Sequence, residues 1–533
     1  MGTRVGLRSG RRKPRILVVT PEITYLPSGM GNMAHRMRAK AGGLADVSAS
    51  LVSALYRLGA DVHVAIPHYR RMFHVDVDRL ISDELRIYLA NLSNSRIHLA
   101  QDRVFYYRDR VYGSYIEDGI QVSLAFQREV INNILPQVDP DLIHCNDWMT
   151  GLIPGMTRRL NIPCLFTVHN IHTQHLTLER IESSGIDAAD FWPYLYYDRP
   201  PANYHETRAS NPVDLLASGI FSAHFINTVS PSFLQEVVEG HHHFVTDPIR
   251  REMAAKYHAG CALGILNAPD PDYDPLGDPA VAVRYGPDDH AAGKRRNKAA
   301  LQDRLGLRQQ DDAPVFFWPS RLDPVQKGCQ LLTDILYDVV STWWAEGIQI
   351  AIVANGSYQK HFHEIVERHG FYDRVAVCDF DEDLSRLAYA GSDYMLMPSR
   401  FEPCGLPQMI SPIYGTLPVV HRTGGLRDTV TPLDADAGTG NGFCFETYDA
   451  AGLRWAIGEA MAFHGRPAAV REAQIARVMR EARAHFNHDV TARAYIDIYE
   501  RMLQRPLISD FGQGLDGPVV DVPPAETPAA GGR

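Results

Sequence analysis

The stretch from Gly391 to Val430, GSDYMLMPSRFEPCGLPQMISPIYGTLPVVHRTGGLRDTV, decides the fold class. Its apolar run Tyr394 to Met397 has the length of a buried strand, and Pro398-Ser399-Arg400 ends it. A carboxylate, Glu402, follows at the strand end. A helix-length segment opens near Gly405 and stops at Tyr414-Gly415-Thr416. A second apolar run, Leu417 to Val420, leads into Thr423-Gly424-Gly425 and a new helix. Two strand-to-helix turns in tandem put both turns on one rim of a parallel sheet. The first offers a carboxylate, suited to hydroxyl groups; the second offers backbone N–H groups at a helix N-terminus, suited to phosphate. A rim carrying both predicts a sugar-nucleotide site.

Outward from this stretch, the same alternation recurs. Val315 to Trp318, Ile348 to Ala354 and Val375 to Cys378 read as further strands with helices between them, which predicts a doubly wound α/β domain. In the N-terminal half, Arg15 to Thr20 (RILVVT), Val62 to Ile66, Asp141 to His144, Pro163 to Val168 and Phe225 to Val229 read the same way. Lys40-Ala41-Gly42-Gly43 opens a helix there, and GGLADV at 42–47 echoes GGLRDTV at 424–430. Two similar turns far apart in the chain predict two similarly built halves facing one cleft. Residues 79–125 alternate in polarity, at Ile87 to Leu89, Ile97 to Leu99, Val104 to Tyr107 and Gln121 to Ala125, and predict a β-rich elaboration. Residues 172–212 carry weak periodicity and read as a mobile or inserted segment. His241-His242-His243 lacks ligand partners at metal spacing and reads as a solvated loop.

The predicted organisation is a basic disordered tail over 1–14, a Rossmann-like domain over 15–262, and a second over 263–490. A helix over 491–505 then crosses back to the first domain, and a disordered tail covers 506–533. The net charge of -10 argues against a nucleic-acid partner. No apolar run reaches the length of a membrane span, so no membrane partner is expected. Seven cysteines without a CxxC pair read as reduced thiols of a cytoplasmic protein.

Candidate chemistry falls at predicted strand ends: Asp147, His169, Arg321, Lys327 and Glu402. Taken singly, each has a bland reading as a cap, a structural histidine or a surface charge. Their joint placement at the ligand-binding rim favours function.

The motifs KAGGLADV (40–47), NDWMTGL (146–152), TVHNI (167–171), GILN (264–267), SRLDPVQKG (320–328) and the stretch from Tyr389 to Val430 resemble those of bacterial glycogen synthases and plant starch synthases. The resemblance covers roughly residues 15–505. It implies a GT-B fold, two Rossmann-like domains facing a cleft. It also implies transfer of glucose from ADP-glucose to the non-reducing end of an α-1,4-glucan with retention of configuration. No cofactor and no metal are expected; the partners are the sugar nucleotide and the α-glucan, and oligomeric state is unreadable.

Carried over by residue, the resemblance places Lys40, Gly42 and Gly43 near the donor phosphates and sugar, and Asp147 on the acceptor side of the reacting centre. It gives His169 and Asn267 the donor glucose, with the His169 carbonyl facing the anomeric carbon. Arg321 and Lys327 take the diphosphate, Glu402 with the backbone at Cys404 and Gly405 the glucose hydroxyls, Thr423 and Gly424 the phosphates, and Phe380 the base or ribose. The chain departs from the family pattern in a longer loop between Glu22 and Lys40, a stretched Arg321-to-Lys327 spacing, and Met149, His175 and Ala268-Pro269. Several of these lie on the acceptor side. A glucosyltransferase using UDP-glucose or a short acceptor, and a donor-binding regulatory pseudo-enzyme, therefore stand as alternatives. The two halves are expected to close over the donor around a hinge near 263–290.

Overall fold

A computed structural model describes residues 12–31, 33–73, 96–112 and 115–508. Of the tails predicted over 1–14 and 506–533, residues 1–11 and 509–533 lie outside the described residues, as does the strand predicted at Ile87 to Leu89.

The N-terminal half starts with β1 (Arg15–Val19), α1 (Gly43–Arg57), β2 (Asp61–Pro67), β3 (Ile97–Ala100), α2 (Ile116–Glu129), β4 (Leu142–Asn146) and β5 (Cys164–Val168). A two-residue antiparallel ribbon, β6 (His175–Leu176) with β7 (Val213–Asp214), precedes β8 (Phe225–Thr228), α3 (Pro231–Glu239) and β9 (Ala262–Gly264). Seven strands form one parallel sheet in the order β3-β2-β1-β4-β5-β8-β9. The chain order reverses beside β1 and β4, and such switch points are where open α/β sheets bind ligands.

The C-terminal half contains β10 (Val315–Trp318), β11 (Gln349–Val353), β12 (Val375–Cys378), β13 (Tyr394–Met397), α4 (Pro407–Ile413), β14 (Leu417–His421), α5 (Gly424–Thr429) and β15 (Phe443–Phe445). Its six strands are parallel in the order β12-β11-β10-β13-β14-β15. Strand residues of both sheets are buried on both faces, as helices above and below a parallel sheet require. The last helix, α6 (His488–Leu503), returns to the first half: Tyr495 and Tyr499 are buried in its core, and the Tyr499 hydroxyl lies 2.7 Å from His144 Nδ1.

Several expectations need correction. Among its described residues, the segment expected to be β-rich holds one short strand, β3, and a helix, α2, over the predicted strand Gln121 to Ala125. Val122 to Gln127 are buried without a break, and Ser123 and Ala125 between Val122, Leu124 and Phe126 imitate alternation. Residues 12–14 do not belong to a loose tail: Arg12 pairs with Asp139 and Lys13 donates to the Gly59 carbonyl. Leu507 is likewise buried. Strand β9 hydrogen-bonds to β8, so the first sheet runs past residue 262, and the crossing helix begins at His488 rather than 491. The 172–212 segment folds into the short ribbon's first strand and four short helical segments, with Leu178, Ile181 and Leu195 in the core.

Candidate functional site

At the end of β4 the chain turns sharply, and Asp147 takes φ 56°, ψ -179°, a backbone region that non-glycine residues occupy only where the surroundings impose it. The turn directs the carboxylate across to the end of β5. One oxygen accepts the His169 N–H at 2.8 Å and the other the Asn170 amide at 3.0 Å. Burial nevertheless dominates, and pushes the Asp147 carboxyl up to about 7.

His169 is held from β4 as well. The Asn146 amide donates to the Val19 carbonyl, which turns Asn146 Oδ1 toward His169 Nε2 at 2.9 Å. Nε2 therefore carries the proton, by network logic, and Nδ1 is left as an acceptor. Burial lowers the imidazole to about 3, so it is neutral at physiological pH.

The glycine turn at 40–43 hangs from Glu22, a fully buried carboxylate at the end of β1. Glu22 Oε2 accepts the N–H groups of Ala41 (2.8 Å) and Gly42 (3.0 Å), and Tyr112 donates to Oε1. The longer loop before it closes through an Ile23–Ala39 bridge and seats Met30, Met33 and Met37 in the core. Lys40 is half-exposed and sits 2.7 Å from Asp46. Among the described residues, nothing lies within 4 Å of the position a Cβ would take on Gly42 or Gly43. None of them demands glycine there, which leaves room for a ligand against the backbone.

In the second half, Lys327 Nζ lies 2.6 Å from Glu402 Oε2, and Ser399 Oγ donates to the same oxygen at 3.1 Å. Both charged side chains are about nine-tenths buried. The backbone N–H groups of Cys404, Gly405 and Leu406, which follow Glu402 and precede α4, find no acceptor among the described residues. Gly405 makes this turn at φ +75°. Asn267, on the connection between the halves, is buried with Oδ1 unpartnered among the described residues. Arg321 is exposed and has no ion pair among the described residues. Phe380 is half-exposed, its N–H donated to Asn355 Oδ1. Cys404 is buried, which pushes its thiol up to about 12 and makes it a packing residue rather than a nucleophile.

Thr423 and Gly424, expected at the phosphates, meet a different group in this structure. Their donors are occupied by a protein carboxylate: Gly424 N–H donates to Glu236 Oε1 at 2.8 Å and Thr423 Oγ1 to Oε2 at 3.1 Å. Gly425 N–H donates to the Glu402 carbonyl at 2.9 Å. The two echoing glycine turns thus differ, one open and one closed by protein. His242 is also not solvated; it is buried, with Nε2 2.9 Å from Glu236 Oε2 and its ring against Phe233. Sequence reading missed Glu22, Tyr112 and Glu236. Only Glu22 carried a signal, as a carboxylate at a strand's carboxyl end.

Comparison with known proteins follows the same division. A family described as the starch synthase catalytic domain matches residues 15–251, and one described as glycosyl transferases group 1 matches 313–463. A glycogen synthase of Moorella thermoacetica is 32% identical over 526 residues, covering 94% of this chain and 99% of its own. One of Exiguobacterium sibiricum is 34% identical, covering 80% and 90%. Among solved structures, the catalytic domain of starch synthase IV from Arabidopsis thaliana bound to ADP and acarbose superposes with a TM-score of 0.72 at 25% identity, covering 93% of this chain and all of that one. Sucrose-phosphate synthase from Thermosynechococcus elongatus, at 18% identity and a TM-score of 0.55, shares the fold.

Proposed function

The chain belongs to the family of glycogen and starch synthases, and from that premise we propose that its cleft transfers glucose from ADP-glucose to the non-reducing end of an α-1,4-glucan with retention of configuration. The observation that carries the reading is the buried Lys327–Glu402 pair beside the unpartnered N–H groups of Cys404, Gly405 and Leu406. A buried ion pair is costly to maintain, and here it borders donors without acceptors. A sugar diphosphate answers both: sugar hydroxyls for Glu402 and the N–H groups, phosphate oxygens for Lys327.

Departure of a nucleoside diphosphate leaves negative charge on phosphate and positive charge on the sugar ring. Lys327 and the exposed guanidinium of Arg321 stabilise the first. This supply of fixed positive charge supports turnover without a metal or cofactor. In the other half, neutral His169 presents Nδ1 as an acceptor for a sugar hydroxyl; its ring N–H is held by Asn146 Oδ1 and its backbone N–H by Asp147. Asp147, with its affinity for a proton raised by burial, is suited to the acceptor hydroxyl. Attack on the same face as departure, within an ion pair, accounts for retention without a nucleophile; Glu402 orients the sugar, held as it is by Lys327 and Ser399. The orphaned Asn267 Oδ1 is a further acceptor for glucose. The open space over Gly42 and Gly43 suits the donor, with Lys40 at its edge.

No helix among the described residues is long and apolar enough to cross a membrane. All seven cysteines are free, which supports a reducing cytoplasmic location. The test is a matrix of ADP-glucose and UDP-glucose against glycogen, maltooligosaccharides and small acceptors, with the product anomer read by NMR. Expected is α-1,4 extension of glucans from ADP-glucose, undiminished by EDTA. Turnover only with UDP-glucose, or donor binding without transfer, overturns the reading.

A further inference from the structure

Helices α3 and α5 belong to different halves, and each caps the other. Glu236, in the last turn of α3, takes the Gly424 N–H and the Thr423 hydroxyl at the N-terminus of α5. Asp428, within α5, takes the Ser232 N–H (3.0 Å), the Ser232 hydroxyl (2.6 Å) and the Ser230 hydroxyl (2.6 Å) at the N-terminus of α3. Carboxylates at helix N-termini are favourable, and here the exchange is reciprocal. The contact lies beside both passages of the chain between halves. Val229, just before α3, packs with Cys404, Met409, Leu266 and Phe486, and Thr491 Oγ1 donates to the Leu266 carbonyl.

This contact continues into the donor site. A Cβ on Gly424 would come within 2.1 Å of the Glu402 carbonyl oxygen, so the turn lies directly on the Glu402 backbone. Gly425 N–H also donates to that carbonyl. The sequence of contacts is therefore Glu236 to Gly424, Gly424 and Gly425 to Glu402, and Glu402 to Lys327.

We propose that Glu236 and Asp428 are positioning residues for glucosyl transfer: from across the domain boundary they hold the 423–425 turn in register, and the turn sets Glu402 against the donor sugar. This deepens the reading of the preceding subsection and rests on it. It also changes the role of Thr423 and Gly424, from phosphate ligands to the backing of the sugar-binding carboxylate. A misplacement of about 1 Å at such a group costs up to roughly a hundredfold in rate.

The experiment compares full-length wild type, Glu236→Gln and Glu236→Ala in three measurements. In donor kinetics at saturating glycogen, Glu236→Ala is expected to lose about tenfold to a hundredfold in kcat/KM, while Glu236→Gln, which can still accept the Gly424 N–H, stays within about threefold of wild type. In calorimetry, ADP is expected to bind Glu236→Ala no tighter than wild type. In hydrogen exchange without ligand, peptides over 423–427 and over 399–406 are both expected to exchange faster in Glu236→Ala. Wild-type kinetics in folded Glu236→Ala overturns the proposal. So does tighter ADP binding, which would make the turn a phosphate site masked by Glu236. So does faster exchange confined to 423–427, and this result decides the matter even for a variant with no activity. Absence of transfer by wild type defeats the functional reading instead, and the exchange measurement then still tests the contact between the turn and Glu402.

Discussion

Lys327 Nζ and Glu402 Oε2 are 2.6 Å apart, and each side chain keeps only about a tenth of its surface in water. Removing either partner leaves the other charge buried alone, a loss of about 3–5 kcal/mol. Lys327→Ala is thus expected to lower stability by that order in denaturant titration and to lower kcat/KM by about 10²–10³. Pairing it with Glu402→Gln removes the orphaned charge, so the double variant should regain much of the stability and none of the activity. Single variants as stable as wild type would sink the account of a buried pair.

Arg321 offers the converse case. It is exposed and has no ion pair among the described residues, so Arg321→Ala should change stability by no more than about 0.5 kcal/mol. Its contribution is expected only with the diphosphate leaving, as a loss of about 10² in kcat/KM. Arg321→Lys should recover part of this, since a point charge replaces a fork. An unchanged kcat/KM in Arg321→Ala removes the residue from the diphosphate site.

The two glycine turns separate ligand space from packing space. Gly43 lies at the first position of α1 with open surroundings. Gly43→Ala should leave stability unchanged or raise it by up to about 1 kcal/mol, the helix preference of alanine, while raising KM for the donor. Gly425 is different, because a Cβ there would lie 2.0 Å from the Cys404 carbonyl oxygen. Gly425→Ala should cost about 1–3 kcal/mol as overpacking and should also impair transfer by shifting Cys404. Equal thermal midpoints for the two variants, with equal donor KM, would contradict the distinction.

What the sequence reveals here is what is local. Buried strand runs such as Tyr394–Met397, and polar residues following them, mark a parallel sheet and its binding rim without any knowledge of distant contacts. Asp147, His169, Lys327 and Glu402 are legible as rim residues for that reason. Partnership was not: Glu236 is a helix residue with the appearance of a surface acid, and only the apposition of α3 and α5 makes it a ligand of Gly424. The same holds for Lys327 and Glu402, 75 residues apart in the chain and assigned separately to phosphate and sugar. The two Gly-Gly turns look alike because a helix start after a glycine pair is local. Whether its N–H groups face a cleft or a carboxylate is decided by the other half of the molecule.

Acid should expose the buried titratable groups in two opposing ways. Burial holds His98, His144 and His169 down to about 3 and His68 to about 4, against an ordinary 6.5. A base with a depressed folded value stabilises the fold above its unfolded value, and this stability is lost as pH falls from 6.5 toward 3. Asp147 has the opposite sign. Its folded value of about 7 lies above the ordinary 3.8, so its contribution is complete below pH 3.8 and is lost as pH rises to 7. At pH 5 the four imidazoles outweigh the one carboxyl by about three protons, so stability should rise with pH there, steeply. The Asp147 component can be isolated by difference. The stability of wild type relative to Asp147→Asn, measured by denaturant unfolding at each pH, should decline between pH 4 and 7 by on the order of 4 kcal/mol and then level off. A difference that stays flat from pH 4 to 8 would mean that Asp147 ionises at its ordinary value, and would remove it as the group suited to take the acceptor's proton.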